Sequence, residues 1–407
     1  MFSGFAKFGA ALLGCAMVCH PAAAQGPAPT KDPIKLGVIE DMSGVFSSIT
    51  GIGAVTAGRM AVEEFGGSVL GRPIELVYAD HENKPDVASA IARRWFDREG
   101  VVAILDVASS APALAVLGVA KERKKVIALS SPGSLLITNE ECGPYVAHWS
   151  YDTYAIAHGT GQALVAKGYD TWFFITADYA FGHNLEKQTS EFVIASGGKV
   201  LGAIRQPVPT SDFASVLLQA MASKAKVVAL ANAGNDTTNA IKQGFEFGMG
   251  SSGQQITALA AMINDVNSVG LQQAQGLILT EASYWDMNDK TRAWSRRYFE
   301  RVKAMPNMLQ VGVYSAVLHY LKAVQAAGST DSDAVIAKMR ELPVNDAFYT
   351  SANLRADGRL VHDMYVFQVK TREESKAPWD YYKLIATIPA EQAFQPLSLS
   401  KCSLVTK

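Results

Sequence analysis

The chain has 407 residues and is close to neutral, with 37 Lys and Arg against 38 Asp and Glu. No basic block or stripe interrupts this balance, which argues against nucleic acid as a partner. The length predicts about two domains at roughly 150 residues each, and a hydrophobic content of 49% is enough to build their cores.

The first 24 residues are typical of a secretory signal peptide. A single positive charge, Lys7, precedes the apolar run at residues 8–18, and three alanines end at Ala24. This run is too short to span a bilayer, and no later segment is long and apolar enough to do so. We expect cleavage after Ala24 and export of a soluble mature protein. An alternative stays open, because residues 12–15 (LLGC) form a loose lipoprotein cleavage box that would leave Cys15 lipidated.

Two cysteines remain once the signal peptide is removed. Cys15 and Cys19 leave with the signal, while Cys142 and Cys402 stay in the mature chain. Two cysteines in an oxidising compartment predict one disulfide, with two buried thiols as the alternative. The bridge would tie the C-terminal tail to the loop around Cys142.

A first series of strands and helices follows a Pro/Ala/Gly-rich leader at residues 25–32. The strands are nearly continuous runs of Ile, Val and Leu, as expected when helices cover both faces of a parallel sheet. Repeated strand–helix units with short loops predict a doubly wound α/β domain. The predicted strands are 34–39, 74–79, 101–105 and 126–129, and the predicted helices are 53–65, 85–98 and 111–122.

A second series of similar size begins near residue 154. Its predicted helices are 154–167, 185–195, 213–223 and 237–247, and its predicted strands are 172–175, 199–204, 227–230 and 255–259. The remaining predicted elements are a strand at 276–280, helices at 290–304, 311–326 and 332–340, and an antiparallel pair at 364–370 and 381–388. The sequence therefore predicts two similar α/β lobes and a C-terminal segment long enough to cross between them.

Motifs for nucleotides, metals and catalysis are misplaced or missing. Gly51 and Gly53 resemble the start of a dinucleotide-binding fingerprint. However, eleven residues separate Gly51 from the predicted strand ending at Ile39, and Thr56 stands where the fingerprint has its third glycine. The sequence contains no HExxH and no G-x-S-x-G. We therefore expect no cofactor, no metal site and no catalytic residue, with an exported hydrolase as the alternative class.

Polar residues collect at the carboxyl ends of the predicted strands, where ligands bind in open α/β sheets. In the first lobe these segments are rich in hydroxyls, glycine and exposed amides, which are neutral donors suited to a carboxylate. Ser109 and Ser110 can serve as helix caps, as donors to an anion, or as both. The segments are 41–44, 106–110 and 130–134 in the first lobe, and 176–182, 232–236 and 260–264 in the second.

These residues resemble a known family over nearly the whole mature chain. The matching stretches are IKLGVIEDMSGVFSSITG, VVAILDVASSAPALAV, ALSSPGSLLIT, ITADYAFG, ANAGNDTTNAIKQGFEFG and VHDMYVFQVK, in that order. The chain resembles type I periplasmic substrate-binding proteins of ABC transporters, in the leucine/isoleucine/valine-binding branch. The resemblance implies a periplasmic monomer that binds a small molecule and delivers it to an inner-membrane ABC permease. A ligand-sensing receptor of the same fold remains the alternative function.

The resemblance also implies a fold of two doubly wound parallel-sheet lobes joined by a hinge. After the signal peptide at 1–24, the expected segments are 33–149 with 281–362 for lobe 1, 150–280 with 363–390 for lobe 2, and 391–407 for a C-terminal tail.

In this family, the serine after the third strand and the loop after the fourth bind the ligand carboxylate, while the loop after the first strand lines the pocket. Carried onto this chain, the carboxylate residues are Ser109 or Ser110, with Ser131, Gly133 and Ser134, and the lining residues are Ser43, Phe46 and Ile49.

The second lobe departs from the family pattern at two places. Phe181-Gly182 stands where amino-acid binders usually carry Tyr-Gly, and residues 260–263 (AAMI) stand where they place an acid for the ligand's ammonium. An ammonium without a carboxylate partner is costly to bury, which weakens the case for an α-amino acid.

Aromatic residues offer instead a wall for an apolar ligand body. The aromatic candidates are Phe46, Tyr151, Tyr179, Phe181, Tyr284 and Trp285. We expect a carboxylate ligand with an apolar or aromatic body; a branched-chain amino acid stays open if Asp178, Asp236 or Asp265 holds its ammonium. The full set of expected ligand-binding residues is Ser43, Phe46, Ile49, Ser109, Ser110, Ser131, Gly133, Ser134, Tyr151, Asp178, Tyr179, Phe181, Asn235, Asp236 and Tyr284.

Overall fold

The computed structural model describes Met1, Gly4, residues 32–249 and residues 253–405. The predicted signal peptide, with its cleavage after Ala24 and the alternative at Cys15, lies outside these described residues apart from Met1 and Gly4.

A six-stranded sheet organises the first part of the chain, in the order β2-β3-β1-β4-β5-β6. All neighbouring strands are parallel except β2, which is antiparallel to β3. From β1 the chain first adds β3 on one side and then crosses to add β4 on the other side. Because the strand order reverses between β1 and β4, a crevice opens at the carboxyl ends of these two strands. The elements are β1 Ile34–Glu40, α1 Gly51–Phe65, β2 Ser68–Val69, β3 Arg72–Asp80, α2 Pro85–Arg94, a π turn Trp95–Glu99, β4 Val101–Val107, α3 Ser110–Glu122, β5 Val126–Leu129, a 3₁₀ turn Leu135–Thr138 and β6 Val146–His148.

A four-stranded parallel sheet organises the second part, in the order β10-β9-β7-β8. Here the winding reverses between β7 and β9, which opens a second crevice. The elements are α4 Thr153–Ala166, β7 Thr171–Ala177, α5 Ala180–Ala195, β8 Lys199–Gln206, α6 Ala214–Ala222, β9 Val227–Ala231, α7 Asn235–Glu246, β10 Gln255–Ala258, α8 Ile263–Val269 and α9 Leu271–Ala274.

The C-terminal part contributes to both sides of the molecule. Trp294, Tyr314 and Val317 are buried in the same apolar cluster as Leu36 and Ala54, so helices late in the chain complete the core under the first sheet. The elements are β11 Ile278–Glu281, α10 Asp289–Val302, α11 Met308–Ala327, α12 Ser332–Glu341, β12 Asn353–Leu354, β13 Leu360–Val361, β14 Met364–Val369, β15 Tyr382–Ile388, α13 Ala390–Ala393 and a 3₁₀ turn Leu397–Leu399.

The predicted α/β class and the antiparallel pair near the C-terminus are confirmed. β14 pairs with β15, and β11 joins them in a three-stranded antiparallel sheet. The elements that the sequence did not predict are short, and a few residues are too little for a periodic pattern to emerge. They are β2, β6, β12, β13, α8, α9 and α13.

A buried arginine ties together two of the segments that run between the sheets. The side chain of Arg359 is fully buried. Its guanidinium donates to the carbonyl oxygens of Trp149 and, at 2.7 Å, of Tyr151, which lie on the segment leading out of β6. It also lies 3.5 Å from the Asp152 carboxylate and 4.6 Å from the centre of the Phe394 ring. Burial lowers the pKa of Arg359 to about 10, and the nearby acid opposes that fall.

A disulfide joins Cys142 to Cys402 across 260 residues of chain. Beside it, the backbone N–H of Lys401 donates to the side chain of Asn139 at 2.8 Å. Together these contacts hold the C-terminal tail against the loop that precedes β6.

Replacing Arg359 by methionine should lower the free energy of unfolding by about 3–5 kcal/mol, because Asp152 would be left buried without its cation. Urea denaturation of the mature protein measures this change. The exposed Arg296 provides the control, since Arg296→Met should stay within about 0.5 kcal/mol. Equal stability of the two variants would contradict the role given to Arg359.

Candidate ligand-binding site

A small cavity lies where the two crevices face each other. The six-stranded sheet contributes the loop after β1, the start of α3 and the loop after β5. The four-stranded sheet contributes the loops after β7 and β9. The lining residues are Phe46, Ile49, Thr50, Ser109, Ser110, Ser131, Pro132, Gly133, Tyr151, Tyr179, Phe181, Ala233, Met262 and Leu309.

The start of α3 supplies one polar end of this cavity. Ser109 precedes the helix with φ of 66° and ψ of 141°, a conformation that costs an L-residue energy. Its hydroxyl is buried and has no hydrogen-bond partner. The first N–H groups of a helix lack intrahelical partners, and the helix dipole is positive at this end. The unpaired hydroxyl and the helix end together suit an anion.

A buried carboxylate lies behind Ser131. One oxygen of Asp106 accepts the backbone N–H groups of Ser130 at 2.8 Å and Ser131 at 3.1 Å, and the other accepts the Ser131 hydroxyl. Burial raises the pKa of Asp106, and these hydrogen bonds oppose the rise.

Glu40, a second buried acid, is electrostatically coupled to Asp106. Burial first, and then the neighbouring Asp106, raise the pKa of Glu40 well above its usual range. Only Thr50 opposes this rise at Glu40, whereas Asp106 accepts from three donors. Of the two acids, we therefore assign the proton to Glu40 and the negative charge to Asp106.

Four aromatic rings form the apolar wall. Tyr179 lies 6.3 Å from Phe46 and 5.9 Å from Phe181 between ring centres, and Tyr151 meets Phe181 edge-on at 6.5 Å. The Tyr151 hydroxyl donates to the carbonyl oxygen of Ser131 at 3.1 Å. Burial raises the pKa of both Tyr151 and Tyr179, so both side chains stay neutral.

Direct contacts hold the two sides of the cavity together. The backbone N–H of Asn235, at the start of α7, donates to the carbonyl oxygen of Val45 at 3.0 Å. Gly234 has φ of 63°, and a Cβ there would collide with the same oxygen. Ser134 donates to the side chain of Asn184 at 2.7 Å. These contacts join the two sides of the cavity, and glycine is required at residue 234.

Most of the expected ligand-binding residues do line the cavity. They are Phe46, Ile49, Ser109, Ser110, Ser131, Gly133, Tyr151, Tyr179 and Phe181. Gly133 allows the close approach of two rings, since a Cβ there would lie 2.6 Å from Tyr151 and 2.8 Å from Phe181.

Three expected polar residues of the loops lie outside the lining. Ser43 points to the surface and donates to Asp80 at 2.8 Å. Ser134 is engaged with Asn184, and the Asn235 side chain is exposed while only its backbone contacts the opposite side. That a residue follows a strand predicts that its loop reaches the site, but it does not predict which way the side chain points.

Tyr284 also lies elsewhere, in the apolar cluster around the three-stranded sheet. Its hydroxyl donates to the carbonyl oxygen of Trp379 at 3.0 Å, and the Trp285 indole N–H donates to the same oxygen at 2.8 Å. Tyr284 is a core residue, and the partly buried Trp285 packs against the same core.

None of the three acids considered for an ammonium lines the cavity. Asp178 is exposed and lies 2.7 Å from His183. Asp236 accepts the Thr210 N–H at 3.0 Å, and burial raises its pKa to about 6. Asp265 accepts the N–H of Met262 at 2.8 Å, and burial raises its pKa to about 7.

The sequence did not predict every lining residue. Thr50 and Ala233 belong to loops already implicated, and Met262 lies in the stretch where the acid is replaced. Leu309 comes from the first turn of α11, which reaches the site only through tertiary structure. No sequence signal marked Leu309.

Within the described part of the chain, no group of three or more His, Cys, Asp or Glu side chains could hold a metal ion. Among its helices, none is both long and apolar enough to cross a membrane.

Comparison with known proteins places the chain among binding proteins. A family profile described as "Periplasmic binding protein" matches residues 33–376. The Leu/Ile/Val-binding protein homolog 6 of Brucella melitensis is 26% identical over 306 residues, which cover 73% of this chain and 77% of that protein. A periplasmic binding protein from Burkholderia mallei is 50% identical, with a TM-score of 0.90, over 92% of this chain and 100% of its own. A branched chain amino acid ABC transporter periplasmic ligand-binding protein from Burkholderia xenovorans is 41% identical, with a TM-score of 0.82 and the same coverage.

Replacing Ser109 by glycine should stabilise the ligand-free protein. The change relieves about 1–3 kcal/mol of backbone strain, while the freedom of glycine in the unfolded chain costs about 0.4–1 kcal/mol. Denaturant unfolding measures the net change in the free energy of unfolding. The matched control is Ser110→Gly, which should destabilise, because Ser110 lies inside α3 and its hydroxyl oxygen accepts the Ser134 N–H at 3.2 Å. Destabilisation by both variants would show that Ser109 is not strained.

Proposed function

Because the chain belongs to the periplasmic binding proteins, in the Leu/Ile/Val-binding branch that serves ABC transporters, we propose that it captures a small carboxylate with an apolar or aromatic body and delivers it to an inner-membrane permease. The members of this family are substrate-binding proteins and not enzymes. The observation that carries the proposal is the unpaired Ser109 hydroxyl at the helix end, inside a cavity whose lining includes four aromatic rings.

Carboxylate recognition rests on neutral donors. The Ser109 hydroxyl and the N–H groups of the first two residues of α3 can donate to one anion, while Pro112 at the third position has no N–H. A hydrogen bond to a charged acceptor contributes about 1.5–3 kcal/mol net, so two or three of them hold a carboxylate without a cation. None of the lining residues carries a formal charge that would compete.

Apolar and aromatic side chains select the ligand body. Phe46, Tyr179 and Phe181 offer ring faces and edges, and Ile49 and Leu309 add aliphatic surface. A flat or branched apolar group gains area and stacking there. The ammonium of an α-amino acid would have to be met by neutral oxygens, because no acid lines the cavity.

Capture requires the two sides to separate and close again. We place the moving lobes at residues 33–149 with 281–362 and at 150–280 with 363–390, with 391–407 as a tail. Closure buries the ligand behind contacts such as that between Val45 and Asn235. The permease then recognises the closed monomer in the periplasm, in the hinge-closure mode that two-lobed binding proteins use.

Isothermal titration calorimetry on the mature protein tests the ligand class. Benzoate, hydrocinnamate, isocaproate and leucine serve as carboxylates, and benzamide and hydrocinnamamide as uncharged controls. At least one carboxylate should bind, and its own primary amide, which for isocaproate and leucine is added to the panel, should bind about tenfold or more weaker, because the donors at α3 strengthen with acceptor charge. Ser109→Ala should weaken the carboxylate by about tenfold to a hundredfold.

The matched control for that variant is Ser215→Ala, which changes an exposed serine of α6 outside the lining. Its affinities should equal those of the wild type. An amide that binds as tightly as its acid, or a panel in which no carboxylate binds, would rule out the proposed function.

A further inference from the structure

A groove beside the cavity separates α5 from the C-terminal tail. α5 packs against the four-stranded sheet, whereas the loop between β5 and β6 belongs to the six-stranded sheet. Ser134 follows Gly133 of the cavity lining, and its hydrogen-bond partner Asn184 lines the groove. The groove therefore continues from the cavity along the boundary between its two sides. Its polar lining residues include Asn184, Lys187 and Glu191 on α5, and Asn139, Glu140 and Lys401 opposite.

The disulfide determines where the tail places its charge. Cys402 is bonded to Cys142 in the loop before β6, and Lys401 directly precedes Cys402. The backbone N–H of Lys401 donates to the side chain of Asn139 at 2.8 Å, and its ammonium lies 2.8 Å from the Glu140 carboxylate. The tail therefore adds a cation to the six-stranded side of the groove, next to an anion of the loop.

The helix α5 presents both charges to the same groove. Lys187 and Glu191 are exposed and four residues apart, so they lie on one face of the helix. Partial burial raises the pKa of Glu140, but the hydrogen bond from Lys401 and the charges of Lys401 and Lys187 lower it overall. The hydrogen bond to Glu140 raises the pKa of Lys401, and the charge of Glu191 adds to that rise. Glu140 is therefore attracted to Lys187, and Lys401 to Glu191.

We propose that these four residues form a latch, in which the disulfide-anchored tail attracts α5 and holds the two sides of the cavity together. We call Glu140 and Lys401 the anchor pair, and Lys187 and Glu191 the helix pair. The inference rests on the proposed function, since it presumes that the two sides separate to admit a ligand. None of the four residues lines the cavity. An attraction that exists only while the sides are together favours the ligand-bound arrangement, and so raises affinity without touching the ligand.

Charge reversal tests the latch, because it keeps one cation and one anion in each pair. Lys187→Glu with Glu191→Lys reverses the helix pair, and Glu140→Lys with Lys401→Glu reverses the anchor pair. Reversal of one pair alone places like charges opposite each other without changing the net charge. The probe is whichever of benzoate, hydrocinnamate, isocaproate and leucine binds the wild type in calorimetry. Its affinity should fall about threefold to tenfold in either reversed protein.

Reversing both pairs together restores the attraction across the groove. The protein with all four substitutions should bind the same probe within about twofold of the wild-type affinity, as a coupled pair of sites requires. Salt provides a second measurement. At about 0.5 M NaCl, the affinity difference between the wild type and either singly reversed protein should largely disappear, because salt screens exposed charges.

Lys338→Glu with Glu341→Lys is the matched control. These residues form an exposed ion pair of 2.6 Å on α12, and neither lines the groove or the cavity. Their reversal also keeps the net charge and should leave the affinity at the wild-type value. A loss of affinity as large as that of the helix-pair reversal would contradict the latch.

Cys142→Ser with Cys402→Ser tests the anchoring role of the disulfide. Lys401 then loses its covalent anchor, so reversal of the helix pair should change the affinity less than it does in the disulfide-bonded protein. If this variant does not fold, Lys401→Ala removes only the anchored charge and should reduce the effect in the same way. An unchanged effect contradicts the anchoring role, and with it the inference.

Wild-type affinity in both singly reversed proteins overturns the inference but leaves the proposed function intact. So does a protein with all four substitutions whose affinity falls by the product of the two single losses, since the pairs would then act independently. A panel in which no carboxylate binds overturns both.

Discussion

The buried guanidinium of Arg359 is the interaction on which the arrangement of the two sheets depends. Its donors fix carbonyl oxygens at Trp149 and Tyr151, on the first segment to leave the six-stranded sheet, from a position far along the chain. A fully buried cation is costly unless nearly all its donors are satisfied, so the two segments can occupy few alternative positions. Tyr151 lies in this fixed segment, and the hydrogen bonds at its backbone therefore also set the position of its ring in the cavity.

Buried acids shape the cavity without lining it. The lining is formally neutral, yet Asp106 lies one hydrogen bond behind Ser131 and Asp265 one behind Met262. Burying Asp106 in this position costs less than burying an acid against an apolar ligand, because two backbone N–H groups and a hydroxyl satisfy its oxygens. Asp106 also accepts the hydrogen of the Ser131 hydroxyl and so fixes the direction in which that hydroxyl points.

Backbone conformation contributes to the site as much as side-chain chemistry. Ser109 holds a strained φ that aims an unpaired hydroxyl into the cavity. Gly234 has a positive φ that lets its backbone approach Val45 on the opposite side. Both features sit at the carboxyl ends of strands where the winding of a sheet reverses, and this topology leaves room for a ligand. Strain at such positions is retained because the surrounding packing determines the conformation.

The sequence alone determined the α/β class, the long helices and strands, and the loops that reach the cavity. Those properties follow from hydrophobic periodicity and from polar residues at strand ends, which are local along the chain. Tertiary structure decided which side chains of those loops face inward: Ser109 and Tyr179 line the cavity, whereas Asp178 faces solvent. It also brought Leu309 to the site and placed Asp106 behind Ser131. Such contacts join residues far apart in the chain, and their geometry depends on how whole sheets pack, which no local pattern records.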